Sequence, residues 1–266
     1  MTRGALIFAF NNEHTDYVRM AAWSTQRIHR YLEIPVAVVT NAPDRASELV
    51  AFDAIITAHS ETGGTRWFED YKATVSWHNA GRTDAYNLTP WDETLVLDAD
   101  YVVNSNILAG TFDVNTDFLC FRHAFDVSGQ IDLSPTFGRH NFPMWWATVM
   151  RFRKSATSQY IFDTMAMVKQ NWSHYRDLYS IESSSPYRND YALSIALGLV
   201  SGHTLLVDDI GWQMPSVLPE HELIREDNQW VVKFRNSRNL PRSVSFEGMD
   251  FHAMGKSYLE KIIAAS

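Results

Sequence analysis

The chain has 266 residues, 45% of them apolar, enough for one large α/β domain or two small ones around a packed core. Its formal charge of −8 and pI near 5.6 disfavour a simple nucleic-acid coating protein, whose affinity would rest on many Lys and Arg contacts to phosphate, while leaving room for a local basic patch. The single Cys120 excludes an internal disulfide framework, and the apolar run in residues 1–13 is too short for a signal h-region or a membrane span, so a reducing, cytoplasmic setting and no membrane partner are expected.

In chain order, residues 5–10 (ALIFAF) read as a buried strand ending in the turn-prone pair Asn11-Asn12. Residues 16–31 place Tyr17, Met20, Ala21, Ile28 and Tyr31 at helical spacing. Residues 36–40 and 54–57 follow as strands, an opening that suits a mostly parallel sheet with ligands at the carboxyl ends of its strands. A helix is expected over 69–80 and a central strand over 94–97. Further strands are expected over 117–122, 146–152, 204–207 and 230–234. Helices are expected over 155–171, 189–199 and 256–264, with Asn189 or Asp190 as the cap of the second. Residues 183–186 and 236–241 are loop-like by composition, and no repeat or hinge-like break divides the chain.

Residues 93–106 (ETLVLDADYVVNSN) run an apolar strand into two aspartates separated by one alanine. Side chains at i and i+2 of a strand point the same way, so Asp98 and Asp100 are expected to aim two carboxylates at one point. Paired hard oxygens invite a divalent cation that completes its shell with water and substrate phosphates, which points to phosphate-ester chemistry. Such a pair also arises by chance in caps and solvated loops; the apolar lead-in favours a site. Residues 249–258 (MDFHAMGKSY) add His252, a borderline ligand suited to an ion such as Mn²⁺. There Gly255 lets backbone approach a phosphate and Lys256 supplies a point charge.

The two motifs together resemble the GT-A glycosyltransferases, and within them the glycogenin- and galactinol-synthase-like group, which carries an LDAD-type motif early and an HxxGxxK-type motif late. The first is Leu97-Asp98-Ala99-Asp100; the second is His252-Ala253-Met254-Gly255-Lys256, with the lysine two positions nearer the glycine. Tyr71-Lys72 matches the aromatic-plus-basic pair ahead of the acidic motif, whose implied role is a contact to the donor diphosphate. Residues 145–150 (WWATVM) stand where the family strand reads FNAGVxxxN, without its asparagine, and Asn189-Asp190-Tyr191 stands for the later Asp-Gln pair. The resemblance implies an α/β, GT-A-like (Rossmann-like) fold, with a mostly parallel central sheet flanked by helices and a small antiparallel element. It implies one domain over 1–266, with residues 1–103 as the nucleotide-sugar half and 104–266 as the acceptor half carrying the C-terminal metal ligand. The opening residues 5–40 also look like small glycosyltransferases of tailed bacteriophages, which implies a host-cytoplasm setting and hydroxymethylated pyrimidine in DNA as an acceptor.

On this resemblance Mn²⁺ or Mg²⁺, held by Asp98, Asp100 and His252 with Ala99 between the acids, bridges the phosphates of a nucleotide sugar, expected to be UDP-linked. Lys72 and Lys256 would add positive charge where the leaving group becomes negative. The nucleotude-binding strand end is expected at Ala9, Phe10, Asn11 and Asn12, with Tyr17 against the base and Asn41 or Asp44 reaching base or ribose. Asn11-Asn12 as a plain turn and Tyr17 as a core residue are the alternatives. Asp190 is the first candidate for the sugar or the reacting hydroxyl, with a bare helix cap as its alternative. The resemblance favours retention; Asp126, Asp132, Asp208 and Asp209 are candidate bases if the reaction inverts.

On the acceptor side, residues 137–146 (FGRHNFPMWW) are dense in aromatics that could stack on a sugar or a base. Residues 231–245 carry Lys233, Arg235, Arg238 and Arg242 without an acid, and Arg151-Phe152-Arg153-Lys154 is a second basic cluster; both could track a nucleic-acid backbone. A saccharide or small alcohol is the other acceptor class. A sugar-nucleotide pyrophosphorylase would need a Gly-rich phosphate cradle that Asn11-Asn12-Glu13 does not offer. A hydrolase would set two carboxylates as acid and base, whereas a one-residue spacing suits co-ligation of a metal. A non-catalytic binding module on the same scaffold is the remaining class.

Overall fold

The computed structural model describes residues 1–59, 64–68, 72–76, 78, 80–204 and 208–266. At its centre is a six-stranded sheet in the order Ala54–Thr57, Val36–Thr40, Arg3–Phe8, Glu93–Leu97, Trp146–Arg153, Phe118–Phe121. Val36–Thr40 (VAVVT) and Glu93–Leu97 (ETLVL) are buried at every position, as continuous apolar and β-branched runs become when both faces of a sheet are covered. All neighbours pair in parallel except Trp146–Arg153, which runs antiparallel to the strands on either side. Ala5 lies opposite Val36 on one side and Leu95 on the other.

The chain steps outward from Arg3–Phe8 to Val36–Thr40 and Ala54–Thr57, then crosses back to lay Glu93–Leu97 on the opposite flank. That reversal opens a crevice at the carboxyl ends of Arg3–Phe8 and Glu93–Leu97, the place where open α/β sheets take their ligands. Helix Tyr17–Leu32 packs on Arg3–Phe8 and Val36–Thr40. It starts where the Asp16 side chain accepts from Arg19 N at 3.0 Å and stops at Glu33 in the left-handed region. Helix Ala156–Gln170, capped by Ser155, packs on helix Asn189–Val200, which lies against Trp146–Arg153.

A second, mixed sheet joins Tyr101–Val102, Phe251–Ala253, Met214–Val217 and Ala124–Asp126. Glu222–Glu226, Gln229–Arg235 and Pro241–Phe246 form an antiparallel sheet. The class is therefore the expected one: α/β, with a mostly parallel central sheet, flanking helices and small antiparallel elements. No helix among the described residues is long and apolar enough to cross a membrane.

Local expectations fail in places. The helix expected over 69–80 is absent where the chain is described: Ala73–Ser76 is a strand paired antiparallel with Thr65–Phe68, and its Thr74 and Val75 suit a pleated edge better than a helix. Residues 69–71, 77 and 79, and residues 205–207 of the strand expected over 204–207, lie outside the described residues. The loop expected over 236–241 ends at Pro241, which opens an edge strand where its missing N–H costs no ladder bond.

Candidate active site

Strand Glu93–Leu97 delivers Asp98 to the crevice, where Asp98 N donates to Thr148 O of the neighbouring strand at 2.9 Å. Tyr101 N then donates to Asp98 O at 3.0 Å and closes a four-residue turn. The two carboxylates thus converge through a turn, and the same-face strand alternation expected for Asp98 and Asp100 is corrected. Beyond the turn, Tyr101–Val102 pairs with Phe251–Ala253, His252 sits opposite Tyr101, and Ala253 N donates to Asp100 O at 2.9 Å. That pairing brings the late motif onto the early one.

One ligand atom from each of Asp98, Asp100 and His252 lies within 4.8 Å of the others. His252 Nε2 is 3.4 Å from Asp100 Oδ2, and both residues are buried. Lys256 Nζ forms an ion pair with the same Asp100 oxygen and donates to Met254 O at 3.1 Å. Burial alone would raise the Asp100 carboxyl, but the Lys256 ammonium and His252 outweigh it and hold it far below the usual carboxylate range. Asp98, with 22% of its side chain exposed, receives the buried Arg82, whose Nη1 is fixed on Ala147 O at 2.6 Å. Burial works against that guanidinium's charge; Asp98, Asp190 and Asp100 more than restore it.

Two hard carboxylates and a borderline imidazole nitrogen converging on one point are donors that a divalent cation takes. The residues present fit such an ion. The site opens into a cleft of about 450 Å³ whose lining includes Phe10, Tyr17, Trp67, His78, Trp146, Arg188 and Asp190.

Of the residues singled out from sequence, Phe10, Asn12, Tyr17, Asp98, Ala99, Asp100, Asp190, His252 and Lys256 line the cleft; among the described residues Ala9, Asn11, Lys72 and Gly255 do not. Ala9 is in the core. Asn11 Oδ1 accepts from Val18 N at 3.0 Å, and Asn12 Oδ1 accepts from His14 N and Thr15 N at 2.9 Å, so both shape the turn into the first helix. Lys72 is exposed at the start of Ala73–Ser76 with φ 48°, and its partner Tyr71 lies outside the described residues. Gly255 caps the last helix, Lys256–Ala265, through its backbone.

Asn189 and Asp190 do not cap their helix. The cap position is Arg188, and Asp190 instead accepts from Ala147 N at 3.0 Å and from Arg188 Nη2 at 3.0 Å, which frees it from a cap's duty and turns it into the cleft. Asn41, Asp44, Asp126, Asp132, Asp208 and Asp209 are not on the lining. Asp126 is fully buried beside Ser128 and His221. Trp145 and Trp146 are both buried, and only the second reaches the cleft. Phe137 and Phe142 pack on Tyr179 in an aromatic cluster. The basic cluster at 151–154 is no nucleic-acid track: Arg151 is buried, Arg151 and Arg153 both pair with Glu93, and Lys154 donates to Thr89 O.

Sequence reading missed Arg82, Trp67, Ser76, His78 and Arg188 on the cleft wall. Trp67, Ser76 and His78 belong to or follow the hairpin Thr65–Phe68/Ala73–Ser76, whose second strand falls in the stretch read as helix. Arg82 sits on a short 3₁₀ segment, Ala80–Asp84, and carries no motif; only the charge balance of a buried guanidinium marks it.

No family model and no curated protein matches the chain. Among solved structures it is similar to the apo form of mouse xyloside xylosyltransferase 1, at 14% identity over 80% of this chain and 87% of that one, with a TM-score of 0.49. It is also similar to the galactosyltransferase LgtC solved with donor and acceptor sugar analogues, at 14% identity over 73% of this chain and 70% of that one, with a TM-score of 0.43. A third likeness is to the glycosyltransferase GlyE of Streptococcus pneumoniae TIGR4, at 13% identity and a TM-score of 0.42; the match covers 79% of this chain but 45% of that one.

Proposed function

We propose that the chain is a metal-dependent GT-A glycosyltransferase that moves a sugar from a nucleotide sugar, UDP-linked on the motif resemblance, to a hydroxyl acceptor. The observation that carries this reading is the convergence of Asp98, Asp100 and His252 with two cationic side chains, Arg82 and Lys256, at the carboxyl-end crevice of the sheet. Asp98, Asp100 and His252 would hold the divalent cation, which when bound supplies Lewis-acid charge to a departing diphosphate. Arg82 fixes the Asp98 carboxylate, and Lys256 brings an ammonium to the same place. Phe10, Tyr17 and Trp146 offer apolar faces to a base or sugar ring, and Asp190, positioned by Ala147 N and Arg188, presents its carboxylate to a sugar hydroxyl from the cleft wall. In this reading residues 1–103 serve the donor and residues 104–266 the acceptor, with retention as the resemblance implies.

For the acceptor, Lys233, Arg235 and Arg242 are exposed on the antiparallel sheet and Arg238 on the turn that joins its last two strands, in a stretch with no acidic residue between 228 and 246, with Glu222 of the first strand opposite Lys233. This local charge on an acidic chain favours a polyanion, and hydroxymethylated pyrimidine in DNA combines a polyanion with a free hydroxyl. Saccharides and small alcohols are the second acceptor class. The test is incubation with Mn²⁺ and a panel of nucleotide sugars, reading nucleoside diphosphate release, followed by mass spectrometry of hydroxymethylated DNA and of saccharides added as acceptors. Diphosphate release from one donor, abolished by EDTA, is expected; no release from any donor would leave a binding module on this scaffold.

A further inference from the structure

Asp100 Oδ2 is approached by two groups at once: the imidazole Nε2 of His252, 3.4 Å away, and the ammonium of Lys256. Lys256 is therefore inside the ligand cluster, not beside it. The reason lies in the sequence. With only Gly255 between Met254 and the lysine, Lys256 becomes the first residue of helix Lys256–Ala265, and its Nζ folds back onto Met254 O and Asp100. The other carboxylate is held differently. Arg82 is buried and anchored on Ala147 O as well as on Asp98, so it is fixed in place, while Asp98 is partly open to solvent. Lys256 carries its ammonium on a flexible four-carbon stem at the cleft wall with 16% of its side chain exposed, against 2% for Arg82, so of the two cations it is the one that can move into the cleft.

We propose that Lys256 is an exchangeable counter-ion of Asp100. It neutralises the carboxylate when no divalent cation is present, gives it up when one binds, and is then released towards a diphosphate in the cleft. Metal and diphosphate would thereby bind with positive coupling, because Lys256 cannot serve Asp100 and the phosphates at the same time. No bond is made or broken; the exchange replaces one ion pair by another. This rests on the metal site proposed above, and goes beyond it by giving Lys256 opposite effects on the two ligands.

The test is isothermal titration calorimetry on the full chain and on Lys256→Met, with Mn²⁺ alone and then with UDP at saturating Mn²⁺. Lys256→Met should bind Mn²⁺ alone on the order of tenfold more tightly, since a resident cation has been removed, and UDP on the order of tenfold more weakly. Opposite signs are the signature; a merely structural lysine would weaken both when removed. Lys256→Gln, which keeps a polar group at the helix start, should show the same pair of signs and guards against a folding defect. Mn²⁺ affinity equal to or weaker than wild type in both variants would overturn the exchange while leaving the metal site standing. Failure of the wild-type chain and both variants to bind Mn²⁺ would overturn the metal site, and this inference with it.

Discussion

Arg82 is the residue that fixes the Asp98 carboxylate and that its sequence advertises least. Its guanidinium spans Asp98 and Ala147 O, a two-pronged reach that a lysine ammonium cannot reproduce. Arg82→Lys keeps the charge and loses the fork, and partners that orient a metal ligand change affinity or activity by about 10–100-fold when lost. Turnover of Arg82→Lys at saturating Mn²⁺ should fall by about that factor in protein that circular dichroism shows to be folded; equal turnover in steady-state assays would show that Asp98 needs no such support. Asp98 and Asp100 are legible as residues because they follow an apolar strand, and His252 and Lys256 because they share a short motif with Gly255. Arg82 and Arg188 are not, because their significance is the charge they meet across the fold.

At the scale of elements, the strands built from unbroken apolar and β-branched runs were readable to within a residue or two, as at Val36–Thr40 and Ala54–Thr57. Val36–Thr40 is buried on both faces, and Ala54–Thr57 alternates half-buried and exposed at the sheet edge, two settings that suit β-branched runs. The short strands that complete the site were not readable. Phe251–Ala253 and Tyr101–Val102 have three and two residues, too few to show a period, and exist because they pair with each other across the chain. The turn over Asp98–Tyr101 was hidden for the same reason, since a strand and a turn both bring Asp98 and Asp100 close. A steric test belongs here. A Cβ at Gly4, in the first central strand, would meet the Trp91 ring at 2.3 Å. Gly4→Ala should therefore destabilise the fold by about 1–3 kcal/mol, as overpacking of a core does, read as a lower denaturation midpoint in urea. An unchanged midpoint would mean that the indole moves aside freely.

At the scale of the molecule, the end of the central sheet away from the cleft is tied by one carboxylate. Glu93 is buried and receives Arg3 at 2.7 Å, Arg153 at 2.5 Å and Arg151 at 3.4 Å. Burial would raise its carboxyl, but hydrogen bonds from Arg153 and Arg3 and the charge of Arg151 outweigh it and hold it below its ordinary value near 4.5. A folded-state value below the unfolded one stabilises the protein above the unfolded value, and that stabilisation is lost as pH falls through the folded one. Thermal melts should show stability declining as pH drops below about 4.5, with a shallower decline and a lower neutral-pH melting temperature for Glu93→Gln. A decline of identical slope in the variant would place acid sensitivity elsewhere. The same network explains why the basic run at 151–154 misleads a sequence reading: two of its three cations, Arg151 and Arg153, are partners of one buried acid.

The central claim is that Asp98 and Asp100 hold the ion through which the cleft activates a sugar donor. Its most direct test is nucleoside diphosphate release, measured with Mn²⁺ and the donor that the wild-type chain turns over, for Asp98→Ala and Asp100→Ala, each checked by circular dichroism for an intact fold. Loss of Mn²⁺-dependent release in both, with unchanged spectra, is predicted. Release at the wild-type rate in either folded variant would contradict the assignment of the metal site.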